Sequence, residues 1–222
     1  MATDRLKIYN GALLICGERA IAALTDNNAP RRALDEVWND GGVRYCIEQA
    51  QWKFAMCASK FTYDTSITPT WGYRRAFAKP SDWVLTSAVC TDEYFRSPLT
   101  QYSDEVGFWF ADQDDLYIRY VSDAATYGSN FAAWPASFTE YVKTYFASRI
   151  VATLTADEGR RKAILEPRTG LLSRNLLLAK SRDAMTDPPK FPVVGGWVRS
   201  RHAGGRGGGR YGDGGSSGSL IG

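Results

Sequence analysis

The chain has 222 residues, with 27 lysines and arginines against 24 aspartates and glutamates, a net charge of +3. Hydrophobic residues make up 44% and charged residues 23%, which excludes a disordered or a membrane composition, and a chain this long can bury roughly 70% of its unfolded surface without disulfides. Arg199, Arg201, Arg206 and Arg210 against Asp213 account for the whole excess, so the first 198 residues hold 23 bases and 23 acids and are not a body built to grip phosphates.

From Asp4 the pattern is helical. Leu6, Tyr9, Leu13 and Cys16 recur at spacings of three and four, and Gly17 supplies a left-handed cap. The apolar stretch from Ala12 to Cys16 stops at Gly17, Glu18 and Arg19, too short for a membrane span or a secretory signal, and this predicts a soluble chain made inside the cell. A second helix is predicted after the Asn28 cap, with Pro30 in its first turn. It carries Leu34, Val37, Trp38, Tyr45 and Trp52 and is weakened or kinked midway by Gly41 and Gly42.

Between Phe61 and Phe131 the texture changes to short alternating runs divided by Pro69, Gly72, Pro80, Pro98 and Gly107, which read as strands. Sixteen of these 71 residues are aromatic, more than a small sheet hides in its own core, so some are expected to face another part of the chain or another subunit. The stretch is also acidic, with ten acids against five bases.

Helical spacing returns after Trp134 and Pro135. Phe138, Tyr141, Val142, Tyr145 and Phe146 cover a wide face, and Ile150, Val151 and Leu154 continue it nearly all round, so this helix is expected to be buried on more than one side. A last helical stretch runs from about Asp157 to Met185, broken or kinked by Pro167 and Gly170 and stopped by Asp187, Pro188 and Pro189. An extended arm follows, and from Gly204 ten of nineteen residues are glycine. The expected fold is α+β, with a helical bundle from residues 1–59 and 132–187, an antiparallel β insertion from 60–131, and a C-terminal arm from 188–222.

Most catalytic signatures are missing. The single histidine, His202, lies in the glycine-rich tail, so there is no Ser-His-Asp, Cys-His or HExxH set. No phosphate-binding GxxxxGK[ST] loop occurs, and the GxGxxG match at Gly207, Gly209 and Gly212 lacks a preceding strand and a following helix. Cys16, Cys46, Cys57 and Cys90 have no zinc spacing and read as buried thiols. Asp112, Asp114 and Asp115, near Asp104 and Glu105, lack the glycine and glutamate of a calcium loop and read as a solvated turn. The competing reading is a carbohydrate hydrolase using paired carboxylates. Arg160, Arg161 and Lys162, with Arg168, Arg174, Lys180 and Arg182 further on, read as a solvated helix face or a contact for an acidic partner. The Arg/Gly run at 204–211 is similar to an RGG segment and gives a third reading, weak nucleic-acid binding through the tail. No catalytic, cofactor-binding or metal-binding residue is assigned. The residues assigned to partner binding are Phe191 and Trp197 as apolar anchors, with Arg199 and Arg201 for acidic groups.

The order of motifs resembles a known family. Ile8 to Leu14 followed by Gly17-Glu18-Arg19, then Trp52 to Met56, Gly72 to Phe77, Lys79 to Trp83 and Asp92 to Phe95 are similar to the tail tubular protein A family. These are the head-to-tail adaptors of T7-like short-tailed bacteriophages. The likeness resumes at Tyr117 to Val121, Trp134-Pro135 with Phe138, and Ala179 to Ala184, and covers about residues 6 to 200. It implies a virion protein at the head-to-tail interface and a dodecameric ring. It also implies contacts with the portal protein, the tail nozzle protein and tail fibres, and double-stranded DNA passing through without specific binding. It implies no membrane, no cofactor and no enzymatic turnover. The break at Pro167 to Gly170 and the glycine-rich tail depart from the family's pattern.

Overall fold

The computed structural model describes residues 4–70, 72–155 and 157–186, which fall within one compact unit, Met1–Asp187. The described residues mix six helices with two small antiparallel sheets of three strands each, an α+β protein. Helix α1 is Arg5–Cys16, capped by the Asp4 carboxylate, which accepts from the Lys7 N–H at 2.8 Å. It ends at Gly17, where φ is +75°, and a Cβ there would also collide with the Arg160 guanidinium. The Arg160 Nη1 donates to the Cys16 carbonyl at 2.5 Å, satisfying one of the carbonyls left open at the end of α1.

The second predicted helix is two helices. Helix α2, Ala29–Asn39, starts at Asn28 as expected, its side chain accepting from the Arg31 N–H at 2.9 Å. Gly41 at φ +80° then separates it from α3, Gly42–Glu48, so the glycine pair breaks the helix rather than kinking it. Trp52 lies beyond α3 in extended backbone and donates its indole N–H to the Cys46 carbonyl at 3.2 Å.

The β region begins earlier than the residue 60 boundary read from the sequence. Strand β1 is Met56–Thr62, followed by β2 (Arg75–Ala78), β3 (Trp83–Cys90), β4 (Ser103–Glu105), β5 (Phe108–Ala111) and β6 (Asp115–Ser122). One sheet has the order β1-β6-β3 and the other β2-β5-β4, all antiparallel. The sheets share a core of Cys57, Phe77, Val89, Trp109, Ala111, Leu116, Ile118 and Tyr120. The two inner faces together hide more aromatic surface than one small sheet could. Among the described aromatics between 61 and 131, only Tyr94 stays exposed, at 68%. The surplus is thus largely absorbed by another part of the chain, the first of the two expected destinations.

Helix α4 (Ala136–Leu154) packs against α1, α2, α3, α5 (Glu158–Leu165) and α6 (Leu171–Ala184). The break between α5 and α6 falls at Pro167 to Gly170, as the sequence predicts. The helical core joins the sheet through Val84 and Val121, so β6 contributes Leu116, Ile118 and Tyr120 to one core and Val121 to the other. Arg44 of α3 closes the joint, donating to the Trp83 carbonyl at 2.7 Å and pairing with Asp123.

Candidate functional site

The acidic turn between β5 and β6 is tied to bases. Asp112 accepts from the Arg74 N–H at 2.9 Å, Asp114 pairs with Arg75 at 2.9 Å, and Asp115 pairs with Lys60 at 2.8 Å. The Lys60 hydrogen bond holds the Asp115 carboxyl below its ordinary value. Asp112 and Asp114 are exposed, in keeping with a turn, while Asp115 is half-buried as the first residue of β6, and the pairs splay the three toward different bases.

Among the described residues, three surface cavities each hold a single carboxylate. A cleft of about 330 Å³ is lined by Trp52, Pro135, Phe138, Ala179 and Arg182, and its one carboxylate is Asp183, which accepts from the Lys53 N–H at 3.0 Å. A second, of about 410 Å³ beside Ile164 and Leu171, holds Glu166 with Arg160 and Arg174. A third, of about 540 Å³ beside Pro69 and Phe110, holds Glu105. None of these three brings together the pair of carboxylates that glycoside hydrolysis requires.

The most enclosed of the described ion-paired side chains is Lys79, 5% exposed. Its Nζ lies 3.7 Å from the Trp83 ring centroid and 5.6 Å from that of Trp109, and donates to Asp104 Oδ1 at 2.5 Å and the Glu105 carbonyl at 2.7 Å. Asp104 Oδ2 accepts from the Thr86 hydroxyl at 2.5 Å, and Thr86 Oγ1 accepts from the indole N–H groups of Trp83 and Trp109 at 3.1 and 2.9 Å. Every polar atom in this cradle has a partner inside it, so it links β3 to the second sheet rather than presenting a reactive amine. In the sequence Lys79 stands out only as part of a motif, because its acid partner lies 25 residues away.

In the helical half, Asp35 accepts from Arg5 at 2.5 Å and from the Tyr9 hydroxyl at 2.8 Å, and pairs with Arg31, while Arg5 lies 4.7 Å from the Trp38 ring centroid. Burial, reinforced by Asp35, pushes the Tyr9 phenol up. The four cysteines are free and buried, with the Cys16 thiol pushed up to about 11 by burial. At neutral pH it carries almost no thiolate, the form needed for nucleophilic chemistry. Among the described residues no group of three or more His, Cys, Asp and Glu side chains is placed to hold a metal ion, and no helix is long and apolar enough to cross a membrane.

Of the basic cluster on α5, Arg160 is committed to the end of α1, while Arg161 and Lys162 remain exposed. Phe191, Trp197, Arg199 and Arg201, the residues assigned to partner binding, lie outside the described residues, as does the Arg/Gly tail. No protein-family model matches the chain, and no curated protein sequence matches it.

Proposed function

We propose that the chain is a structural head-to-tail adaptor of a short-tailed bacteriophage, a virion protein of the tail that forms a ring joining the portal to the tail nozzle. DNA passes through the ring's channel. The observation that carries this reading is where the family-like motifs fall. Lys79 to Trp83 and Tyr117 to Val121 supply the Lys79 cradle and the central strand of the first sheet, Trp52 and Trp134 fill the helical core, and Gly17 seats α1 against Arg160. These motifs build joints between elements and do not surround a reactive group. A neutral body with an acidic β region suits a conduit that must not hold the phosphates sliding past it.

In this reading the helices from both ends of the chain form the bundle of a ring subunit, twelve to a ring as in the family. The C-terminal arm docks on a neighbouring ring, the portal, through Phe191 and Trp197 with Arg199 and Arg201 on acidic groups. The test is electron microscopy and sedimentation of the purified chain, alone and mixed with its portal. Rings are expected, and a monomer under every condition overturns the reading. Removal of everything after Asp187 is expected to leave the fold intact and to weaken attachment to the portal; normal attachment would reject the arm's role.

A further inference from the structure

The one exposed aromatic among the described residues of the β region, Tyr94, sits on a loop held by several backbone hydrogen bonds. After β3, Thr91 donates its N–H to the Ser97 carbonyl at 3.1 Å, and the Asp92 carboxylate accepts from the backbone N–H groups of Arg96 and Ser97 at 3.0 and 2.7 Å. Pro98 bridges back to Cys90. Phe95 is held at φ +54°, a conformation that costs a non-glycine residue on the order of 1 kcal/mol or more, with the Arg119 guanidinium 4.6 Å over its ring. Its neighbour Tyr94 faces outward, 68% exposed, with Glu93 beside its hydroxyl and Arg96 over its ring. A rigid, projecting aromatic loses little freedom when it binds, which is the property of an interface anchor.

A complementary surface lies on α6. Leu177 and Leu178 are 70% and 50% exposed, and with Arg174, Asn175 and Ser181 they line a groove of about 400 Å³. Among the described residues Arg174 makes no ion pair, and α6 carries Arg174, Lys180 and Arg182 against one acid, Asp183. The groove sets Arg174 beside two exposed leucines, whereas the loop offers an aromatic ring with the Glu93 carboxylate at its hydroxyl.

The two surfaces stand at opposite ends of the first sheet. The Trp83 end of β3 is fastened to α3, and Cys90 lies seven residues further on, roughly 20 Å away at strand rise. The C-terminal end of α6 is fastened by Asp183 to Lys53, next to the start of β1, which pairs with Val121 at the helical end of the sheet. A contact between loop and groove therefore joins two copies of the chain, head to tail, and a head-to-tail contact repeated about an axis closes a ring.

We propose that Tyr94 of one copy seats in the α6 groove of the next, over Leu177 and Leu178, with Glu93 paired to Arg174. This rests on the ring reading and adds which surfaces form the ring contact.

The test uses the full chain carrying Tyr94→Cys and Leu178→Cys together. All four natural cysteines are buried, so the engineered pair is the reactive one. Mild oxidation is expected to give a reducible ladder of multimers in the double variant, and no ladder beyond dimer in either single variant. Independently, Glu93→Arg and Arg174→Glu are each expected to raise the concentration needed for assembly roughly tenfold, and their combination to restore it. Circular dichroism of each variant confirms that the fold is kept. Rings that form normally, yet give no ladder and ignore both charge changes, overturn this contact and leave the ring reading standing, as they would if the loop served a different partner. Failure of the unaltered chain to form rings, alone or with portal, overturns both.

Discussion

Around α4 the buried surface is almost entirely hydrocarbon and aromatic ring. Its buried polar side chains, Thr139 and Thr144, donate back to carbonyls one turn earlier, at Pro135 and Glu140, and Thr144 accepts one further bond, from the Asn175 amide of α6. Between the two sheets, by contrast, a lysine amine, a carboxylate, a threonine hydroxyl and two indole N–H groups form one connected network beside Trp109. The contrast follows from shape. Five helices can wrap a sixth and interlock rings edge to face, as Trp134 does with Phe131 and Phe138 at 4.9 Å. Two three-stranded sheets leave short, open edges, and β4 is only three residues long, so directional bonds fix what packing alone leaves loose.

The comparison breaks most visibly at Phe146, which is fully buried and touches the rings of Tyr9, Trp38 and Tyr145. Phe146→Ala is expected to cost about 3–5 kcal/mol in denaturant unfolding, because the helices around it cannot collapse into the space. The two cores meet through Val84 and Val121, so loss of the helical core should unfold the sheets in the same transition. A second transition, with the sheets surviving, would show that the two halves are independently stable.

A middle-sized effect is expected at Lys79. Lys79→Met keeps the stem against the Trp83 ring but leaves Asp104 without its cation, at a cost of about 1–3 kcal/mol given that the carboxylate is still 32% exposed. Adding Asp104→Asn should recover part of that loss. Equal destabilisation by single and double variants would mean that the packing of the stem, and not the charge, holds the sheets together.

The legible parts of this fold are those governed by neighbours in sequence. Gly17 capping α1, Asn28 opening α2 and Pro167 to Gly170 dividing α5 from α6 each follow from backbone rules acting within a few residues. Gly41 was half legible, since a glycine pair signals weakness but not whether the chain bends or stops. The start of β1 was missed because Met56, Cys57 and Ala58 carry little strand character, and pairing with Val121, Tyr120 and Arg119 decides it from 60 residues away. The division into two sheets was also hidden. It depends on β2 pairing with β5 across more than 30 residues, and those pairings also decide which aromatics are covered and leave Tyr94 outside.

The smallest effect is expected at the acidic turn, where the sheets' charge pairing meets water. Lys60 and Asp115 are 50% and 40% exposed, so their pair is screened, unlike the pair at Lys79. The Asp115 carboxyl sits below its ordinary value in the fold, so its contribution is present above the unfolded carboxylate range near pH ~3.9 and is lost as pH falls through the folded value. The Lys60 amine sits above its ordinary value, so its share is present below pH ~10.4 and is lost as pH rises through the folded value. Between those limits Asp115→Asn should lower the thermal midpoint slightly, and the difference should vanish in strong acid and shrink in high salt. Changing Asp112, Asp114 and Asp115 together to Asn should add little more, leave assembly unchanged and abolish no reaction, because each carboxylate faces its own base. A glycan-cleaving activity lost in that triple variant would turn the solvated turn into an active site, and with it the reading of the chain from adaptor to enzyme.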